Sequence, residues 1–164
     1  MTNKMTFWGV GPKYTLFSAV YCILTVALSK YFDPFFTIHF VSYDVLVTIA
    51  TILILIGIPF YIVSLVTIKR AFVAGRLVTE KTFGMCRHPV YSAWIIFFVP
   101  GIMLLINTWI GLSASLVMYF LLLKLVKEEE VYLESVFGNE YLAYKERVPA
   151  VLPASWLVAG RRNF

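Results

Sequence analysis

Charge is scarce in this chain. Asp, Glu, Lys and Arg supply 14 % of its 164 residues, where a water-soluble domain carries roughly a quarter. With 60 % hydrophobic residues and a mean hydropathy of +0.83, that shortage excludes a soluble globular domain and indicates an integral membrane protein. Cysteine is scarcer still. Cys22 falls inside an apolar stretch and Cys86 in a charged loop, so a disulfide between them is not expected. Neither has His or Cys neighbours at metal-ligand spacing, so no metal site is expected. A glycine-rich loop of the kind that cradles phosphates is also missing. The net charge of +5 has no soluble basic face to sit on. It therefore speaks against nucleic acid and for topology and contact with anionic membrane lipids.

Long apolar runs are what the chain does have. Four stretches, about Tyr14–Phe32, Val45–Ile68, Val90–Ile106 and Trp109–Val126, reach or approach the roughly 20 residues needed to cross a bilayer. The fold class is therefore all-α integral membrane, with about four transmembrane helices and short C-terminal helices at the cytoplasmic face. The first stretch reads as a retained span, because it is long for a signal-peptide core despite its Ala27-Leu28-Ser29 triplet. Pro100-Gly101 should kink the third span, and Gly57 with Pro59 the second. Residues Met1–Lys13, with Phe7 and Trp8, read as an interfacial lead. The loop Lys69–His88 has too few apolar residues for a core of its own and must lie against the helices.

Lys and Arg set the orientation. Lys69, Arg70, Arg76, Lys81 and Arg87 crowd the loop between spans two and three. Lys4 and Lys13 precede span one, and Lys127, Lys145, Arg147, Arg161 and Arg162 follow span four. Both termini and the basic loop are expected in the cytoplasm. After span four, Leu133, Val136, Phe137, Tyr141 and Tyr144 recur at helical spacing. Gly138 and Asn139 read as a stop and a new cap, which predicts two short helices under the membrane. The whole chain, 1–164, reads as one domain whose site-bearing half covers about 69–153. Its oligomeric state is not legible.

Two charged clusters flank the last apolar hairpin and must meet at one membrane surface. The first is C-R-H-P-V-Y-S-A-W from Cys86 to Trp94. The second opens with Glu128, Glu129 and Glu130. Pro89 in a first helical turn places Arg87 and His88 at the N-terminus of span three, where free N–H groups favour an anion. Tyr91 and Trp94 follow three residues apart, on one face. The acidic run sits at a helix C-terminus, where the dipole disfavours it. Lys124 offsets Glu128 in part, and the pair Glu130 and Glu134 repels. A zwitterionic, phosphate-free cofactor such as S-adenosylmethionine suits both clusters. Its carboxylate would go to Arg87 or the helix N-terminus, and its ammonium and ribose hydroxyls to Glu129 or Glu130. Interfacial anchors and a solvated helix face would explain the same residues.

The stretch R-H-P-V-Y-S-A-W, then Asn107, then E-E-E-V-Y-L-E-S-V-F-G-N-E-Y-L-A-Y-K-E-R-V-P with Leu152-Pro153, closely resembles the isoprenylcysteine carboxyl methyltransferase family. More widely it is similar to membrane methyltransferases that include phospholipid N-methyltransferases. The resemblance covers roughly Leu77–Pro153. It implies S-adenosylmethionine as cofactor, held by Arg87, His88, Tyr91, Glu129 and Glu130 with Leu133 in support. Lys81-Thr82-Phe83 departs from a G-P-Y-like start in many relatives, and Ala93 stands where many have Gly. The resemblance also implies a lipophilic or lipidated acceptor entering from the bilayer, with Trp94, Tyr141 and Tyr144 as walls for it. If that acceptor is a carboxylate, a cation must hold it. Arg147 is favoured because it lies in the matched motif, and Arg70, Lys69 and Lys124 are alternatives. Rival readings are transfer to a phospholipid amine, a nicotinamide-dependent sterol reductase, and a non-catalytic scaffold.

Overall fold

The computed structural model describes residues 9–151. The interfacial lead with Phe7 and Trp8, the Leu152-Pro153 motif, and Arg161 and Arg162 lie outside the described residues. The fold is all-helical. Helix α1 spans Gly11–Tyr31 and α2 spans Tyr43–Val73. A 3-10 turn at Lys81–Gly84 leads to the shorter apolar helix Pro89–Leu105, here α3. Helix α4 runs over Trp109–Phe137 and α5 over Asn139–Arg147. Helices α1, α2 and α4 are long and apolar enough to cross a membrane.

At about 1.5 Å per residue α3 is only ~25 Å long, yet it connects the two ends of the bundle. Thr108, just beyond its C-terminus, bridges to Thr37 in the α1–α2 loop. At its N-terminus the backbone N–H groups of Arg87 and His88 donate to Pro149 and Ala150 O, at 2.8 and 3.0 Å. The four apolar helices therefore alternate in direction. Helix α1 packs on α4, α4 on α3, and α3 on α2.

Polarity is inverted relative to a soluble bundle. The buried residues of α1 are Tyr14, Ser18, Thr25 and Ser29, whereas Leu16, Phe17, Val20, Ile23 and Leu24 are exposed. Helix α2 likewise buries Ala50, Gly57, Ser64, Thr67 and Ala71 and exposes Ile52, Leu55, Ile56 and Ile62. Lipid tails solvate Leu and Ile as well as a protein interior does, so tight contact falls to small residues. At the α2–α3 contact, a Cβ on Gly57 would meet Phe97 Cβ at 2.7 Å. One on Gly101 would meet Ile54 at 3.0 Å and the Ala50 carbonyl at 3.3 Å. Only glycine allows those backbones to approach so closely.

Helix α2 is one continuous helix that carries Gly57 and Pro59 in its interior. The structure corrects several other expectations. In α3 the irregularity precedes Pro100, as a π-helical turn at Trp94–Phe98. Pro100 has no N–H to give to the preceding turn, and the Val99 N–H reaches back to Trp94 O instead. The first of the two expected tail helices is the continuation of span four, since α4 reaches Phe137. Gly138, at φ +53, does stop it. Gly138 also occupies the N-cap of α5, so Asn139 is not the cap. The loop before α3 is held against the helices as expected, with Val78 and Phe83 packing on Ala71 and Ile68 of α2.

Candidate functional site

Where α3 begins, α4 ends and α5 folds back, the two charged clusters meet. Arg87 Nε and Nη2 both donate to Glu130 Oε1, at 3.0 and 2.6 Å. Its Nη1 donates to the carbonyls of Lys145 and Val148. Glu130 Oε2 is taken by Lys145 Nζ at 3.2 Å, and Lys145 also lies 3.9 Å from Glu134. The acidic run is therefore answered by Lys145, and among the described residues Lys124 forms no ion pair with Glu128.

The tail lies along the start of α3. Val148 leaves α5 in extended geometry, and Pro149 and Ala150 accept the N–H groups of Arg87 and His88. Ser92 Oγ donates to Val151 O at 2.6 Å. The chain's own carbonyls thus occupy the two N–H groups just before the helix.

Behind this clamp is a cavity of about 280 Å³, at the lower end of the roughly 300–1,000 Å³ of small-molecule sites. Arg87, His88, Glu129, Tyr141 and Tyr144 line it, with an apolar wall that includes Val78, Phe83, Leu133 and Phe137. Three buried polar atoms here have no well-aligned hydrogen-bond partner: Glu129 Oε2, His88 Nε2 beside Glu130, and Tyr141 Oη beside Arg87. Buried polar atoms are seldom left unpaired, so three lining one cavity give it the polar groups a small molecule could use. His88 Nδ1 is 3.9 Å from Glu129 Oε1, and its Nε2 is 3.5 Å from Glu130 Oε1 without hydrogen-bond alignment. Burial, helped by the Glu130 and Glu129 charges, raises the Tyr141 phenol above its ordinary range. Tyr141 therefore keeps its proton at neutral pH and is available as a donor. Tyr144 is used differently, donating to Phe83 O at 2.7 Å and pinning the loop over the cavity.

The other expected residues lie elsewhere. Glu130 is behind the cavity wall, in the clamp. Tyr91 meets Tyr14 of α1 edge-on at 5.0 Å, while Trp94 meets Tyr61 of α2 and Phe98. Residues three apart differ by about 60° around a helix, enough here to send these two rings to different neighbours rather than to one face. Arg70 is exposed near the end of α2. Arg147 is exposed and donates to Ala143 O of its own helix. Neither lines the cavity. Sequence reasoning missed Lys145, Leu77, Val78 and Arg76. The last lines the cavity and pairs with Glu80 at 2.7 Å. Lys145 had a signal: three successive glutamates need a cation, and this one stands between motif tyrosines and Pro149.

The fold and site define a helical membrane protein with a cavity at the charged end of its bundle, lined by an Arg-His pair and a glutamate. A profile of the isoprenylcysteine carboxyl methyltransferase family matches residues 50–135, and the chain belongs to that family. It is 38 % identical over 77 residues to the protein-S-isoprenylcysteine O-methyltransferase of Mus musculus, covering 47 % of this chain and 27 % of that protein. The Arabidopsis thaliana protein-S-isoprenylcysteine O-methyltransferase B is 33 % identical over 78 residues, covering 48 % and 40 %. A probable protein-S-isoprenylcysteine O-methyltransferase of Oryza sativa is 28 % identical over 123 residues, covering 70 % and 62 %. The chain thus spans about a quarter of the length of the mammalian relatives it matches. No solved structure matches it.

Proposed function

We propose that this chain is a membrane-embedded methyltransferase that uses S-adenosylmethionine to methylate the carboxylate of a lipophilic acceptor such as an isoprenylcysteine. The three buried polar atoms in the cavity carry the reading, set in a chain of this family. They fit the cofactor's polar groups. Glu129 Oε2 would accept from an ammonium or ribose hydroxyls, Tyr141 Oη would donate, and His88 Nε2 would contribute whichever its tautomer allows. The apolar wall around Phe83, Leu133 and Phe137 suits an adenine ring. The bound cofactor supplies a methyl group on a sulfonium.

In this reading Arg87 and Glu130 act as a wall. Their paired charges hold α3, α4 and the 148–151 segment around the cavity, and Glu129 and His88 meet the ligand. Moving the methyl group would form its bond to a carboxylate oxygen as its bond to the sulfonium sulfur breaks, leaving a neutral ester and a neutral thioether, so a site that strips water from both charged groups favours the transfer. Alignment of the two groups supplies much of the rest. Arg76 is the exposed cation of the lining and is placed to receive the acceptor carboxylate by exchanging Glu80 for it. Arg147 reaches the cavity only if its side chain leaves Ala143. We also assign the charged end, with Lys69, Arg76 and Lys145, to the cytoplasm.

Calorimetry with purified protein tests the cofactor reading. Wild type should bind S-adenosylmethionine and Glu129→Gln should bind it about ten- to hundredfold more weakly, the loss expected for one charge-assisted hydrogen bond. Transfer of a labelled methyl group to a farnesylated cysteine analogue tests the acceptor. Label recovered as a base-labile ester supports O-methylation, and label in phospholipid headgroups would refute it.

A further inference from the structure

On the other side of the Arg87–Glu130 pair lies a second opening, a cleft of about 480 Å³ on the outer flank of α4. Of its lining residues only Arg87 also lines the cavity described above. Phe120, Leu123, Lys124 and Lys127 line it. Their spacing, three, four and seven residues on from Phe120, places them on one face of the helix. The face is graded along its length. Phe120 is 67 % exposed in the apolar part of α4, and both lysines stand at the charged end. Among the described residues neither lysine takes part in an ion pair. Glu130 in the back wall does not cancel them, because its oxygens already hold Arg87 and Lys145. Glu128, which follows Lys127 directly in sequence, does not line the cleft.

We infer that this cleft binds the headgroup of an anionic phospholipid, with the phosphate between Lys124 and Lys127 and an acyl chain along Leu123 and Phe120. The order of the lining, apolar below and cationic above, matches a lipid standing in its own leaflet. A soluble anion would have no use for the Phe120 end. Bound there, the lipid presses on the back of the Arg87–Glu130 wall and stiffens it. This inference does not depend on the cofactor assignment, because the cleft and the cavity are separate and can be assayed separately.

The test uses the full chain in nanodiscs of phosphatidylcholine, with and without a minority of phosphatidylglycerol, and native mass spectrometry to count retained lipid. Wild type should retain phosphatidylglycerol preferentially and unfold at a higher temperature in its presence. The double variant K124Q/K127Q should lose about thirtyfold in that preference, as expected for removing two basic residues from a membrane surface. The charge-matched control K13Q/K69Q should keep it. Equal losses in both variants would mean diffuse surface attraction and overturn the site. Inorganic phosphate added to phosphatidylcholine discs should not reproduce the thermal shift, and a full shift would make the ligand a free anion. Unchanged lipid retention in K124Q/K127Q alongside conversion of a dimer to monomers would give the cleft to a second copy. A gain in lipid retention on truncation after Pro153 would give it to the chain's own C-terminal segment.

Discussion

Glu129 and Glu130 are neighbours in sequence and about 100° apart around their helix, which gives them different surroundings. Glu130 is 7 % exposed and bonded through both oxygens to Arg87 and Lys145. Glu129 faces the cavity with a free oxygen. Glu130→Gln should therefore lower stability by about 3–5 kcal/mol, the cost of leaving a buried partner charge unpaired. Glu129→Gln should leave the melting temperature nearly unchanged and weaken cofactor binding. Thermal unfolding and calorimetry on the two variants separate these roles, and identical behaviour would refute the division. Arg87→Lys should resemble Glu130→Gln, since a lysine cannot span Glu130 and two carbonyls with one planar fork. Arg76→Gln should raise the acceptor KM while cofactor affinity holds. An unchanged KM would leave Arg76 as a partner of Glu80 alone.

Among the elements, α5 was the one most clearly written in the sequence. Gly138 after a helical repeat announced its start, and Tyr141 and Tyr144 announced its buried face. Gly138 sits at φ 53 and ψ −129, and a Cβ there would meet nothing within 4 Å. Gly138→Ala should thus cost about 1–3 kcal/mol from backbone strain without a clash. The loss should appear as easier proteolysis of α5 before global unfolding. What could not be read is how the 148–151 segment docks. It does so through carbonyl oxygens, which every residue carries and no letter distinguishes. Pro149 signalled only extended backbone. The same limit hid the fate of Arg87, whose charge was legible while its bonds to two carbonyls were not. The fates of Tyr91 and Trp94 were hidden for another reason: a spacing of three allows a shared face and does not require it.

At the scale of the whole molecule, four apolar stretches and their flanking charges gave the all-helical membrane fold. The Thr37–Thr108 bridge and the Arg87–Pro149 contact mark its opposite ends. Orientation can be checked by labelling with an impermeant thiol reagent. Native Cys86 is unsuited to this, because it is fully buried against Ser92. In a C22S/C86S background, F40C and E140C replace exposed residues at the two ends. E140C should react from the cytoplasmic side and F40C only from the other. Reaction of both from one side would contradict the even number of crossings.

The docking of residues 148–151 onto the start of α3 also governs when the site comes into being. A ribosome delivers this chain to the bilayer helix by helix, and Arg87 enters with the third. Its carbonyl partner at Val148 is 61 residues further on. During that interval the guanidinium and the N–H groups of Arg87 and His88 stand at the interface without their final partners. The newborn protein therefore has its helices in place before it has a closed cavity. A stall or cleavage between α4 and α5 would leave a membrane protein that is inserted yet lacks the Tyr141 and Tyr144 wall of its cavity.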